Sequence, residues 1–230
     1  MADRIKKNII LAGTIAAVTA VLVLALILRA DSSSAVFSQA GERGCIVIDA
    51  GHGLPDAGAV GAQGTAEEEL NLLISSKLKA CLEDMGFSVI MTREDHDAIA
   101  ESKDADMARR REIISGGSQD VTVSIHQNIY AEDSSVYGAQ VFFAPGSEEG
   151  ERLAAAIQAE LNAALKPEKP RSEHVGNSYI VKSGSPPAVI VECGFISNPQ
   201  EEELLKQSQY QVKIVKAIAK GVVGYLEGNA

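Results

Sequence analysis

Apolar residues along the chain fall into short β-branched runs separated by longer stretches of helical spacing. CIVID (45–49), FSVIMT (87–92), VTVSI (121–125), AQVFF (139–143), SYIV (178–181) and AVIVE (188–192) read as strands. Helical spacing covers Glu67 to Met85, Ala105 to Ser115, Glu149 to Leu165 and Gln207 to Glu227. This alternation predicts one α/β domain: a mixed, mainly parallel sheet of about six strands flanked by helices. No internal repeat interrupts it. In SNPQEEELL, Asn198 is suited to cap a short helix, Pro199 to open it and Glu201 to close a capping box. Gly86 follows Met85 as the stop of the first helix. The charged, aperiodic run REDHDAIAESK (93–103) predicts a solvated surface loop.

The first thirty residues follow a different pattern. Ile9 to Leu28 is uncharged throughout, which at 1.5 Å per residue crosses a hydrocarbon core of about 30 Å. The run is long and meets Arg29 directly, so an uncleaved anchor is expected rather than a signal peptide. Arg4, Lys6 and Lys7 precede it, which puts the N-terminus in the cytoplasm. The expected organisation is a cytoplasmic N-terminus at 1–8, a single transmembrane signal-anchor at 9–28, a flexible linker at 29–43 and a folded extracytoplasmic domain at 44–230.

Composition adds two exclusions. Hydrophobic residues make up 46% of the chain, ample for a core, so disorder is not expected over most of it. Net charge is −10, although the N-terminal segment is basic, so the rest is more acidic still. Such a surface repels phosphate backbones and predicts no nucleic-acid partner. Cys45, Cys81 and Cys193 are odd in number and show no CxxC pairing. They read as small buried hydrophobes.

In an open α/β sheet, ligands bind beyond the carboxyl ends of the strands. Three polar residues stand there: His52 after strand 45–49, His126 after strand 121–125, and Glu192 at the end of strand 188–192. Two imidazoles and a carboxylate suit zinc, which in catalytic sites keeps three protein ligands and an open position. Glu67, Glu68 and Glu69 open the first long helix, and spacing alone does not choose among them. A lone loop histidine is more often solvated than a ligand, and this is the reading for His96 in the charged loop. His174 is given no role. The glycines between Gly51 and Gly64 lack both GxGxxG and the Walker lysine, so they read as a loop allowing close backbone approach. No GxSxG elbow is present, and Ser124 reads as facing away from His126.

IDAGHGLPDAGAVGAQGTAEEELNL, MTRED, SIHQN and VIVECGFISNPQEEELL, in that order, resemble the zinc-dependent N-acetylmuramoyl-L-alanine amidases of the Amidase_3 family. The resemblance covers nearly all of residues 45 to 227. It implies one zinc ion per chain, with His52, Glu67 and His126 as ligands and Glu192 as the catalytic carboxylate. Asn128 either binds substrate or orders its loop. The implied reaction is hydrolysis of the amide between N-acetylmuramic acid and the stem-peptide L-alanine in peptidoglycan. Sporulation is among the processes such enzymes serve, and the need for a separate protein activator is left open. Ala50 and Leu54 stand where the family often has proline and glycine. Tyr130 to Gly138 leaves no room for the helix that covers the site in some members, so regulation by such a helix is not expected. The rival readings are a non-catalytic peptidoglycan-binding module and a zinc peptidase acting within the stem peptide.

Overall fold

The computed structural model describes residues 43–182, 184 and 186–228. The expected segments at 1–8 and 9–28, and all of the linker except residue 43, lie outside the described residues. Among the described residues, no helix is long and apolar enough to cross a membrane.

Six strands form one sheet: β1 Cys45–Ala50, β2 Ser88–Met91, β3 Val121–Asn128, β4 Gln140–Phe143, β5 His174–Val175 and β6 Ala188–Phe195. Their order is β2-β1-β3-β6-β4-β5. All neighbours run parallel except β4 on β6, so the sheet is mixed and mainly parallel, as the alternation of elements predicts. The helices are α1 Glu67–Asp84, α2 Lys103–Ser115, α3 Glu148–Leu165, α4 Pro199–Lys206 and α5 Ser208–Leu226.

One face of the sheet presents Ile46, Ile48, Val121, Val123, Ile125, Val189 and Val191 to α1, α3 and α5, whose Leu70, Ile74, Leu78, Leu153, Ile157, Ile214 and Ile218 complete the main core. Burying each such aliphatic side chain contributes roughly 1.5–3 kcal/mol, and this holds the sheet flat against the helices. On the opposite face, Val47 packs with Ile114 of α2 and with Ile180. The strands at the centre of the sheet are therefore covered on both sides, which is why they read as unbroken apolar runs.

Two local expectations fail. SYIV is not a strand: Ile180–Lys182 forms a 3₁₀ turn that buries Ile180 and Val181 against the second face of the sheet. The strand on that side is instead the short, exposed His174–Val175 pair, which lacks an apolar signal. Glu201 does not close a capping box. Asn198 Oδ1 does cap α4, accepting from the Gln200 and Glu201 amides at 2.9 and 3.0 Å, but the Glu201 carboxylate turns away to the Phe195 amide at 2.7 Å and the Gly138 amide at 3.0 Å. Gly86 ends α1 with φ 92°, a left-handed conformation that favours glycine. Cys193 is fully buried and Cys45 and Cys81 are half-buried, all three as free thiols.

Candidate metal centre

β1 carries the chain to Ala50, and the Gly51 amide makes one further bond, to the Ile125 carbonyl at 3.1 Å. The backbone then turns sharply. His52 has φ 62°, a left-handed conformation that side-chain-bearing residues avoid, and Gly53 follows at φ 143°. His126 is presented differently, by the β3–β6 ladder, as its last regular pair with Glu192 of β6 before the register shifts between His126 and Asn128. Glu67 stands in the first turn of α1, whose Glu67 and Glu68 amides are capped by the Ala59 and Ala57 carbonyls of the glycine-rich loop at 2.9 and 3.1 Å. The three glutamates separate by rotation around the helix: Glu67 and Glu68 are buried, and Glu69 faces solvent.

The structure brings His52, Glu67 and His126 together, each offering an atom within 4.8 Å of the others. Glu67 Oε1 lies 2.9 Å from His126 Nδ1, and its Oε2 lies 3.3 Å from His52 Nε2. The two rings stand edge-on, 5.0 Å between centroids. His52 Nδ1 faces Asp56 Oδ2 at 3.2 Å, and Asp56 Oδ1 accepts from the Gly58 amide at 3.1 Å. Asn71 donates to Glu67 Oε1 at 3.3 Å and to the Gly51 carbonyl at 3.1 Å.

The residues fit a zinc ion on three observations. The donors are two imidazoles and a carboxylate, a set zinc accepts. The backbone around them leaves room: a Cβ on Gly51 would lie 2.3 Å from His126 Cε1 and 2.4 Å from its Nε2, and one on Gly58 would lie 2.7 Å from Glu67 Oε2 and 2.8 Å from His52 Cδ2. Beside them, Glu192 Oε2 is buried with no hydrogen-bond partner among the described residues, an arrangement native interiors rarely tolerate. Burial pushes the Glu192 carboxyl up to about 7, with Glu67 adding to the rise and the two imidazoles opposing it. Burial also opposes ionisation of Glu67, but the hydrogen bonds and charges of His126 and His52 outweigh it and hold Glu67 well below the usual carboxylate range. Both imidazoles are correspondingly raised: burial lowers them, and Glu67 more than compensates.

Asn128 uses its side-chain oxygen to accept from the Ile129 amide at 2.8 Å, which orders the turn after β3. His96 is exposed, as expected, with Nδ1 3.2 Å from Glu68. His174 is also exposed, on the sheet edge beside Phe142. The Leu54 side chain is 44% exposed, two residues beyond His52. Ser124 corrects the expectation made for it, because alternate strand residues share a face; its hydroxyl donates to Asp49 Oδ2 at 2.5 Å. The loop at 93–103 is not wholly solvated, since Arg93 at its start is 3% exposed. Arg93 stands just past the end of β2, so the strand-end rule that selects His52 could have selected it too. A cavity of about 750 Å³ between α3 and α4 contains none of the four site residues.

A further pair of acids frames the site. Glu202, fully buried, accepts from the Gln63 and Thr65 amides at 2.8 and 3.2 Å and so holds the glycine-rich loop. Its neighbour Glu201 accepts from the Gly138 and Phe195 amides.

A family profile described as N-acetylmuramoyl-L-alanine amidase, Amidase_3, matches residues 46–223. The germination-specific N-acetylmuramoyl-L-alanine amidase of Bacillus subtilis is 33% identical over 188 residues, 78% of each chain. Among solved structures, the CwlD amidase of Clostridioides difficile, in complex with the GerS lipoprotein, is 35% identical with a TM-score of 0.76, over 80% of this chain and 99% of that one. The catalytic domain of CwlV, an N-acetylmuramoyl-L-alanine amidase from Bacillus (Paenibacillus) polymyxa, is 28% identical with a TM-score of 0.72, over 80% and 98% of the two chains.

Proposed function

Given that the chain belongs to the Amidase_3 family of N-acetylmuramoyl-L-alanine amidases, we propose that it hydrolyses the amide joining N-acetylmuramic acid to the stem-peptide L-alanine of peptidoglycan, using one zinc ion held by His52, Glu67 and His126. The observation that carries this reading is the convergence of those three side chains beside the buried, unpartnered Oε2 of Glu192. A bound zinc supplies Lewis acidity, polarising an amide carbonyl and making water acidic near neutral pH. Glu192 takes the proton of the attacking water and returns it to the departing L-alanine nitrogen. The C–N bond breaks, the lactyl carbonyl gains the hydroxyl as a carboxyl group, and the amine leaves neutral before it protonates. Burial raises the Glu192 carboxyl in the metal-free protein, the direction that suits a group accepting and releasing a proton in one cycle. Asp56 holds Nδ1 of His52, which leaves Nε2 toward Glu67.

The setting extends the reading. The uncharged segment at 9–28 anchors the chain in the cell membrane and places the domain outside, within reach of the wall. The germination-specific B. subtilis relative supports a role in wall remodelling around the spore. The lipoprotein complexed with the C. difficile CwlD amidase supports a protein partner here as well.

The test is to incubate the full chain, in detergent, with muropeptides and zinc, and to identify products by mass spectrometry. Free stem peptide with an L-alanine amino terminus is expected, lost on chelation and restored by zinc. Cleavage only within the peptide sinks the amidase reading in favour of a zinc peptidase. Undiminished turnover under chelation removes zinc from it.

A further inference from the structure

Three consecutive carbonyls at the end of β1 are gripped by two buried arginines from separate parts of the chain. Arg93 Nε donates to the Ala50 carbonyl at 2.9 Å, and its Nη2 donates to the Gly51 and Glu68 carbonyls at 2.9 and 2.8 Å. Arg110, from α2, donates through Nη1 to the Ala50 carbonyl at 2.7 Å and through Nη2 to the carbonyl of His52 itself. Arg110 is fixed in turn by Asp106 at 2.6 Å and Asp49 at 2.8 Å, and Asp49 is fixed by Thr92 at 2.8 Å and Ser124 at 2.5 Å.

Only 3% of Arg93 and 1% of Arg110 reach solvent. Removing a guanidinium from water is costly, and packed apolar side chains often fill such a space with equal or better stability. What an apolar residue does not offer is a planar fork of donors able to satisfy several carbonyls at fixed angles; a lysine offers only a point charge. The Ala50, Gly51 and His52 carbonyls lead into and form the turn in which His52 adopts its left-handed backbone; past the Gly51 amide the backbone bonds there come from the Gly53 and Leu54 amides, to Asp56 and His96, and leave these three carbonyls to side chains.

We propose that Arg110 and Arg93 are positioning residues for His52: they lock its turn so that the imidazole meets Glu67 and His126 before any metal arrives. This rests on the zinc-centre reading for its functional meaning, and the two can fail separately. The experiment uses the full chain and three variants, Arg110→Lys, Asp106→Asn and Leu82→Ala. Leu82 is fully buried at the far end of α1 from Glu67 and controls for general loss of stability.

Zinc affinity is measured by competition with a chromogenic chelator, and the His52 ring is followed by NMR in the metal-free protein. Arg110→Lys is expected to bind zinc about 10- to 100-fold more weakly and to split or broaden the His52 resonance. Asp106→Asn should do the same to a smaller degree, whereas Leu82→Ala should melt lower with both readouts unchanged. An unchanged His52 resonance in Arg110→Lys overturns the clamp, as does equal disturbance by Leu82→Ala. If Arg110→Lys does not fold, Asp106→Asn decides on the same criteria. A parent chain that binds no zinc overturns the metal reading, and the resonances still decide the clamp.

Discussion

The two histidines of the centre are held by different means. His126 lies in β3, one residue past its last pair with β1, and its ladder pair with β6 sets it opposite Glu192. His52 sits past the end of β1, on a turn held by Arg93, Arg110 and Asn71 from distant parts of the chain. A regular strand places a side chain through backbone bonds that any sequence of the right pattern can make. An irregular turn leaves carbonyls unpaired, and specific long side chains must satisfy them.

The comparison can be broken most severely on the ladder side. Glu192→Gln should lower kcat by about 10²- to 10⁴-fold while zinc content stays at one per chain. Turnover near the parent level would remove Glu192 from the chemistry. The same variant has a pH signature in the metal-free protein. Because the folded pKa of Glu192 is about 7, above its ordinary value of 4.5, the ionised carboxylate costs stability that grows as pH rises between those values. Glu192→Gln should therefore melt above the parent at pH 8, and calorimetry should find the gap closing toward pH 5.

A smaller effect is expected where the two regions touch. Gly51→Ala would push a methyl group into the His126 ring, and displacing that ring by about 1 Å should cost on the order of 100-fold in kcat/KM. Steady-state kinetics at saturating zinc measure this, and parental values would show that the turn and the ladder move independently. The smallest change sharpens the contrast on the turn side. Asp56→Asn keeps the turn but weakens the acceptor on His52 Nδ1, and zinc affinity should fall about 10-fold by chelator competition. An unaltered affinity would mean the turn orients His52 without help from the Asp56 carboxylate.

The same division explains what could be read from the chain. Five of the six strands, the four longer helices and the residues standing past strand ends were legible because periodicity and strand-end position are local properties. SYIV misled because two buried β-branched residues look alike in a strand and in a tight turn packed on a sheet. Glu201 misled because its spacing suits a local cap as well as the distant amides that take it. Arg93 and Arg110 lay in charged stretches that average to a solvated surface. Nothing in composition announces that a guanidinium will meet carbonyls left over elsewhere. Family resemblance, rather than periodicity, singled out Glu67 among three adjacent glutamates.

The adjacent acids of α4 have a consequence for the lengths this chain can vary in. Glu201 and Glu202 point about 100° apart on the helix and grip different loops, one through the Gly138 amide and the other through the Gln63 amide. A single residue inserted between Asn198 and Glu201 would rotate both carboxylates off their amides at once. The span from Phe195 to Glu202 is therefore fixed in length, whereas the exposed stretch Glu132 to Ser135 carries no bond to either carboxylate.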